Sequence, residues 1–159
     1  MPALDDAPSN VIPLPGLSKR DKAKSNDRWS DAVMDRGHTI IPTILFWGQA
    51  KLGLTPDELN VLLQIISHWW YAGNDPHPSK DRIAKRMKKH PRTVRAYLTS
   101  LEDKGFIRRV ERLKPNKGRD ANGYDLSGLV AKLQALAPEF KKVAEQNKLR
   151  RGRVEKSAG

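Results

Sequence analysis

The chain has 159 residues, the size of about one domain; 38% are hydrophobic and 30% charged, and the formal net charge is +12 with an isoelectric point near 10.1. So basic a balance points to a polyanionic partner, either nucleic acid or an anionic membrane surface. Cysteine is absent, which excludes disulfides, thiolate nucleophiles and Cys-based zinc sites and suits a reducing compartment.

The opening stretch MPALDDAPSNVIPLPGL is acidic and broken by prolines, without the basic start and apolar core of a secretion signal. No apolar run approaches the roughly 18 residues of a membrane span. A soluble, cytoplasmic and nucleoid-associated protein is expected. Residues 1–28 carry four of the eleven prolines and few large apolar side chains close together, so a disordered tail is expected there. Trp29–Arg36 is read as a short helix, and His38–Ile41 (HTII) as a short strand stopped by Pro42. Pro42 suits the first turn of a helix running to Gly53.

Thr55-Pro56-Asp57-Glu58 is a capping box, with Thr55 as N-cap, Pro56 at the first helical position and Glu58 at the third. It opens a helix expected to reach Tyr71, with Leu59, Leu62, Leu63, Ile66, Trp69 and Trp70 on its buried face. Val61 and Ile65 are apolar too, so this helix should be covered on more than one side. The loop GNDPHP ends it. Ser79 then caps a short helix, Lys80 to Met87, with Ile83, Ala84 and Met87 inward. After Lys88-Lys89, His90 stands at the N-cap and Pro91 at the first position of the next helix. Its Val94, Tyr97, Leu98 and Leu101 repeat at i, i+3, i+4 and i+7, one apolar face. Lys104-Gly105 stops it, with Gly105 as the left-handed residue.

Phe106–Leu113 reads as a strand, KPNKGRDANG as a loop of turn formers and Tyr124–Leu126 as a return strand. Ser127 is expected to cap a helix through Ala137, and Pro138 to start or kink a further stretch towards Arg150. The domain organisation expected is a tail over 1–28, a folded domain over 29–126, a helical extension over 127–150 that serves oligomerisation, and a basic tail over 151–159.

Charge is distributed unevenly along these elements. Residues 79–119 carry fifteen basic and four acidic groups, net +11, whereas residues 31–78 are net −3. Nearly all the excess therefore lies in one block patterned to fold. Charge at that density repels itself, and few acids within the block relieve it, which favours a partner over a merely solvated face.

Helix, short helix, tight turn, helix, then a hairpin with a basic tip is the order of a winged helix-turn-helix. The expected fold class is mainly α with a small β-hairpin, a winged helix-turn-helix with extra N- and C-terminal helices. Three inner helix faces make a small core, and the third helix keeps an opposite face for a B-DNA major groove, about 12 Å wide. On that face stand Arg92, Thr93, Arg95, Ala96 and Thr99. Arginine bonds guanine O6 and N7 with two parallel hydrogen bonds, and a Thr methyl meets a thymine methyl. Ser79, Lys80, Lys89 and His90 lie at helix starts or in the turn, where backbone N–H groups favour phosphate. Arg108, Arg109, Arg112, Lys114, Lys117 and Arg119 lie on the hairpin or its tip, suited to phosphates or the flanking minor groove.

The stretch PSKDRIAKRMKKHPRTVRAYLTSLEDKGFIRRV resembles the DNA-reading half of GntR-like winged helices. From HTIIPTILF through LGLTPDELNVLLQIISHWW the chain resembles the helix-turn-helix domain of phage, plasmid and integrative-element proteins, regulators and replication initiators among them. The resemblance covers about residues 38–126 and implies contacts at Ser79, Lys80, Arg92, Thr93, Arg95 and the hairpin bases. Two departures from the family pattern stand out. The turn before the third helix usually holds Gly and a Ser cap, and here it holds Lys88 and His90; Pro91 also removes one N–H from the helix start.

Other chemistry finds little support. Trp69-Trp70-Tyr71 offers base-stacking rings, but its place on an apolar helix favours core packing or a dimer seam. His90 near DNA offers a pH switch, though a weak N-cap is the simpler role. His38, His68 and His77 lack metal-ligand spacing, so no metal and no cofactor are expected. No Gly-rich phosphate loop, Ser–His–Asp pattern or carboxylate pair is evident, so no catalysis is expected. Glu102 and Asp103, unusual near a helix end, are expected to answer cations one turn away.

The function expected is sequence-specific binding of double-stranded DNA by a transcription regulator of a mobile element. Two alternatives stand beside it: a plasmid or phage replication-initiation or partition factor on origin repeats, and a non-specific DNA-binding subunit of a larger assembly. RNA fits less well, because its deep, narrow major groove would not admit the third helix. The expected state is a homodimer or several protomers on DNA, with no membrane and no small-molecule ligand. The candidate dimer surfaces are the Thr43–Leu52 helix, the helix ending in Trp69-Trp70, and above all the C-terminal helices carrying Leu129, Val130, Leu133, Leu136 and Phe140.

Overall fold

The computed structural model describes residues 28–71, 73–113 and 121–157, with side chains to Arg151. Residues up to Ile40 form one unit and residues from Ile41 onward another. In the first, one helical turn, α1 (Asp31–Met34), stands where a helix over Trp29–Arg36 is expected. Ser30, at φ 68, interrupts the helical path just before it. The tail expected over 1–28 lies almost wholly outside the described residues.

The second unit opens with α2 (Thr43–Trp47) and α3 (Gln49–Leu52), followed by α4 (Pro56–Ile66), α5 (Lys80–Met87) and α6 (Pro91–Asp103). Strands β1 (Arg108–Val110) and β2 (Gly123–Asp125) form an antiparallel hairpin with Arg109 opposite Tyr124, and α7 (Ser127–Ser157) closes the chain. Leu45, Leu59, Val61, Leu62, Ile65, Ile83, Ala84, Val94, Leu98 and Leu101 build the core with Phe106, Tyr124 and Leu129. Each large apolar side chain so buried contributes about 1.5–3 kcal/mol. Winged helix-turn-helix is thus the fold: α4, α5 and α6 share one core, and the hairpin follows α6 directly.

The capping signals act where the sequence places them. Thr55 Oγ1 accepts from the Glu58 N–H (3.2 Å) and Glu58 Oε2 accepts from the Thr55 N–H (2.9 Å), the reciprocal pair of a capping box. Ser79 Oγ accepts from the Arg82 N–H, and His90 Nδ1 accepts from the Arg92 N–H, both at 3.2 Å. At the far end of α6, Gly105 sits at φ +73. The Phe106 N–H donates to Leu101 O and the Gly105 N–H to Glu102 O, both at 2.9 Å. This is a Schellman turn, sealed by the apolar pair Leu101 and Phe106, both buried.

Five expectations about elements need correction. His38–Ile41 is not a strand; among the described residues the sheet has two strands, β1 and β2, and a lone extended segment leaves its backbone groups unpaired. The helix expected over 42–53 bends at Gly48, where Leu136 of α7 packs over the backbone, and Pro42 is its N-cap rather than its first residue. Helix α4 ends at Ile66, not Tyr71: the Ser67 N–H still bonds Leu63 O, but the His68 and Trp69 N–H groups turn to Ile65 O and Ile66 O, three residues back, while Ser67 Oγ donates to Gln64 O (2.7 Å). Trp69 still packs on the core, but Trp70 and Tyr71 are exposed. The first strand starts at Arg108, since Phe106 and Ile107 are used by the turn that ends α6.

The last correction concerns α7. Its start is capped by Asp125, whose Oδ1 accepts from the Ser127 N–H (2.8 Å), and not by Ser127. The helix then passes through Pro138 without ending. A proline inside a helix forfeits one hydrogen bond. Here the turn beyond it is held from outside, by the Lys51–Glu139 ion pair and by the Trp47 and Phe140 rings 6.3 Å apart. Gly128 sits so close under the end of α6 that a Cβ there would run into the Gly105 carbonyl oxygen.

Candidate nucleic-acid interface

Burial sorts α6 into two faces. Val94, Leu98 and Leu101 are inside and Tyr97 is half-buried against the core, while Arg92, Arg95, Ala96 and Thr99 are exposed and Thr93 is half-buried. Neither the Arg92 nor the Arg95 guanidinium has a hydrogen-bond or ion-pair partner among the described residues. Two unneutralised, solvated guanidinium groups thus stand near the N-terminal half of the third helix, where a recognition helix meets base edges.

That helix is gripped by two acids from the first turn of α4. Tyr97 Oη donates to Asp57 Oδ2 (2.7 Å), and Lys89 Nζ approaches the same oxygen at 3.5 Å. The Tyr97 hydrogen bond, ahead of the Lys89 charge, holds the Asp57 carboxyl below the usual carboxylate range. Glu58, 3% exposed, is bound more tightly. Ser100 Oγ donates to Oε1 (2.6 Å), and Lys104 Nζ donates to both oxygens (2.9 and 2.8 Å) and to Gly53 O (2.9 Å). Burial opposes the Glu58 charge, but the bonds from Lys104, Ser100 and the Thr55 backbone outweigh it and hold its pKa at about 2. One acid therefore fixes the middle of α6 and the other its end.

The hairpin is fastened in the same way. Arg109 donates to Glu102 through its backbone N–H (2.9 Å) and Nε (2.7 Å), and its Nη2 reaches Thr99 Oγ1 at 3.4 Å. Glu102 thus answers a strand arginine, not a helix neighbour one turn away, and that pairing lowers its pKa. Arg108 Nη2 donates to Asp125 Oδ2 (2.8 Å) and remains mostly exposed. The Asp125 carboxyl is held at about 2 by the Ser127 backbone N–H first and by Arg108 second. Arg112 is half-buried at the hairpin, and Lys114, Lys117 and Arg119 lie outside the described residues.

Ser79, half-buried, spends its hydroxyl on capping α5; Lys80 and His90 are exposed at the starts of α5 and α6. The structure brings Arg92, Arg95, Ala96 and Thr99 onto one face, whereas Arg109 and Lys89 are first of all ion-pair partners. One residue escaped the sequence reading. Lys88, exposed in the turn between α5 and α6, adopts φ 50, ψ 42, a left-handed conformation that glycine takes at no steric cost. The signal was visible as the departure from the Gly expected there.

No group of three or more His, Asp or Glu side chains among the described residues is placed to hold a metal ion. No helix among them is long and apolar enough to cross a membrane.

Residues 52–107 match the family model of the helix-turn-helix domain. A comparison with curated proteins finds no match. Among solved structures, the chain is similar to the N-terminal domain of DnaD protein from Geobacillus kaustophilus, at 23% identity and a TM-score of 0.48 over 83% of this chain and 99% of that one. It is also similar to a possible transcriptional regulator from Methanosarcina mazei, at 17% identity and a TM-score of 0.44 over 69% and 93%. A MepR mutant from S. aureus aligns at 16% identity and a TM-score of 0.41 over 88% and 96%.

Proposed function

We propose that this chain, whose residues 52–107 are a helix-turn-helix DNA-binding domain, reads a specific sequence in double-stranded DNA and acts as a transcription regulator by occupying its site. In this reading α6 enters the major groove, Arg92 and Arg95 contact base edges, and the hairpin with its basic tip lies along the backbone. The observation that carries the reading is the two-sided character of α6: an apolar face locked in the core, and an opposite face with two arginines that no described residue neutralises. Random-site selection, with sequencing of the bound duplexes, tests it. Enrichment of one motif supports it; tandem copies in every selected duplex would favour a role at replication origins, and no enrichment would leave only non-specific binding.

Lys88 supports the same reading. A lysine in the left-handed region costs roughly 1 kcal/mol, and such strain persists most often where the side chain serves a function. Set in the turn beside the start of α6, its ammonium is placed for a phosphate. Lys88→Gly is expected to leave stability unchanged or raise it by up to about 1 kcal/mol, measured by urea unfolding. The same variant should weaken binding to selected and random duplexes alike, and lower the slope of log K against log salt by about 1.

A further inference from the structure

We propose that Trp70 and Tyr71, with Arg82 and Arg86 beside them, form a second nucleic-acid site that takes an unpaired DNA strand by stacking its bases. The run Trp69-Trp70-Tyr71 supplies the rings, and the early end of α4 divides them. Trp69 packs on the core, while Trp70 is 47% and Tyr71 41% exposed. The His68 ring backs Trp70, with centroids 6.1 Å apart and planes tilted by 33°. His68 is itself half-buried, and its Nδ1 lies 3.0 Å from Gln64 O and 3.1 Å from Ser67 Oγ. The indole is therefore braced at the surface, beyond the end of α4 and away from Asp57 and Glu58, which grip α6 from the start of that helix.

Charge indicates what such rings take. Arg82 and Arg86 stand one turn apart on one exposed face of α5. Arg86 Nη1 reaches Gln64 Oε1 at 3.5 Å, which ties that face to the turn that holds His68. Burial first, and then the charges of Arg86, Arg82 and His77, lower the His68 pKa against the pull of the Gln64 carbonyl. The charged groups bearing on the ring beside Trp70 are thus all basic. The acids of this stretch face elsewhere: Asp75 acts on Arg108 at the hairpin, and Asp81 shares its side of α5 with Lys85. A ligand that offers flat faces to the rings and anions to the guanidinium groups is a nucleic acid. Its bases must be unpaired, because a duplex keeps their faces inside its own stack. The choice of DNA over another polyanion rests on the DNA-binding reading of residues 52–107; the cluster of rings and cations does not.

Fluorescence anisotropy of a labelled oligothymidylate with the full chain tests the proposal, beside an abasic strand of equal length. The abasic strand keeps the phosphates and lacks the bases, so it should bind about tenfold more weakly or worse. Trp70→Ala and Tyr71→Ala should each weaken oligothymidylate binding about tenfold with an unchanged circular dichroism spectrum, and Trp70→Phe should keep most of the affinity. Arg86→Ala should weaken both strands and lower the slope of log K against log salt by about 0.7. Equal binding of the two strands, or wild-type affinity when Trp70→Ala and Tyr71→Ala are combined, overturns the proposal. So does competition by polyglutamate as effective as that by unlabelled oligothymidylate of equal charge, which would make the patch a site for an acidic protein. None of these readouts uses a duplex. Trp70→Ala should leave duplex binding unchanged and Arg92→Ala should leave strand binding unchanged, so each reading can fail alone.

Discussion

Arg92→Ala and Arg95→Ala are each expected to weaken binding to the selected duplex by about 1–3 kcal/mol and to broaden base preference at the position contacted. The stability of the fold should stay within about 0.5 kcal/mol, since both side chains are exposed and neither has a partner among the described residues to leave unpaired. The size follows from bidentate geometry: a guanidinium that meets O6 and N7 of guanine loses both bonds when any other base stands there. A phosphate contact would behave differently, weakening every duplex equally and lowering the salt slope. Arg95→Lys separates the two, because lysine keeps the charge and loses the fork. Competition binding of each variant to the selected motif and to scrambled duplexes at two salt concentrations decides the matter. Equal loss on both duplexes would move Arg92 and Arg95 from base reading to the backbone.

The architecture was legible from local signals. The capping box at Thr55–Glu58, the caps Ser79 and His90, the stop at Gly105 and the apolar spacing of Val94, Tyr97, Leu98 and Leu101 each act within a few residues, and each stands in the structure as read. What the sequence could not show depends on partners far along the chain. His38–Ile41 has a strand's composition, but the sheet offers it no pairing. Pro138 looks like a boundary until Trp47 and Lys51 are known to hold the turn beyond it. The site divides along the same line. The bare face of α6 follows from its periodicity. The assignment of Arg109 and Lys89 to acids in the chain does not, since Glu102 and Asp57 reach them only after folding. Asp57 and Glu58, read as an ordinary helix start, are the groups that set α6 in place.

Of those two, Glu58 should matter more to stability, because it is buried and answers three donor groups through four hydrogen bonds. Glu58→Gln keeps the shape and removes the charge, so Lys104 loses its ionic partner, and since Ser100 bonds Oε1 and the Thr55 N–H bonds Oε2, the single amide oxygen leaves one of the two donors facing an NH2 group. Breaking a fully buried pair costs about 3–5 kcal/mol. The Lys104 end is about a third exposed and regains water when the charge is lost. The expected cost at pH 7 is therefore smaller, about 2 kcal/mol, read as a lower urea midpoint with an unchanged m-value. The pH dependence has a definite sign. The folded pKa of about 2 lies below the ordinary 4.5. The ionised Glu58 thus contributes its full stabilisation above pH 4.5 and loses it as the pH falls towards 2, where the unfolded chain binds the extra proton first. The gap between wild type and Glu58→Gln should consequently be widest at neutral pH and narrow steadily below pH 4. An equal gap at pH 7 and pH 3 would mean that the variant loses packing rather than an ionic tie. Ser100 and Lys104 carry the end of α6, so acid that releases Glu58 should loosen that end of the helix before the core opens.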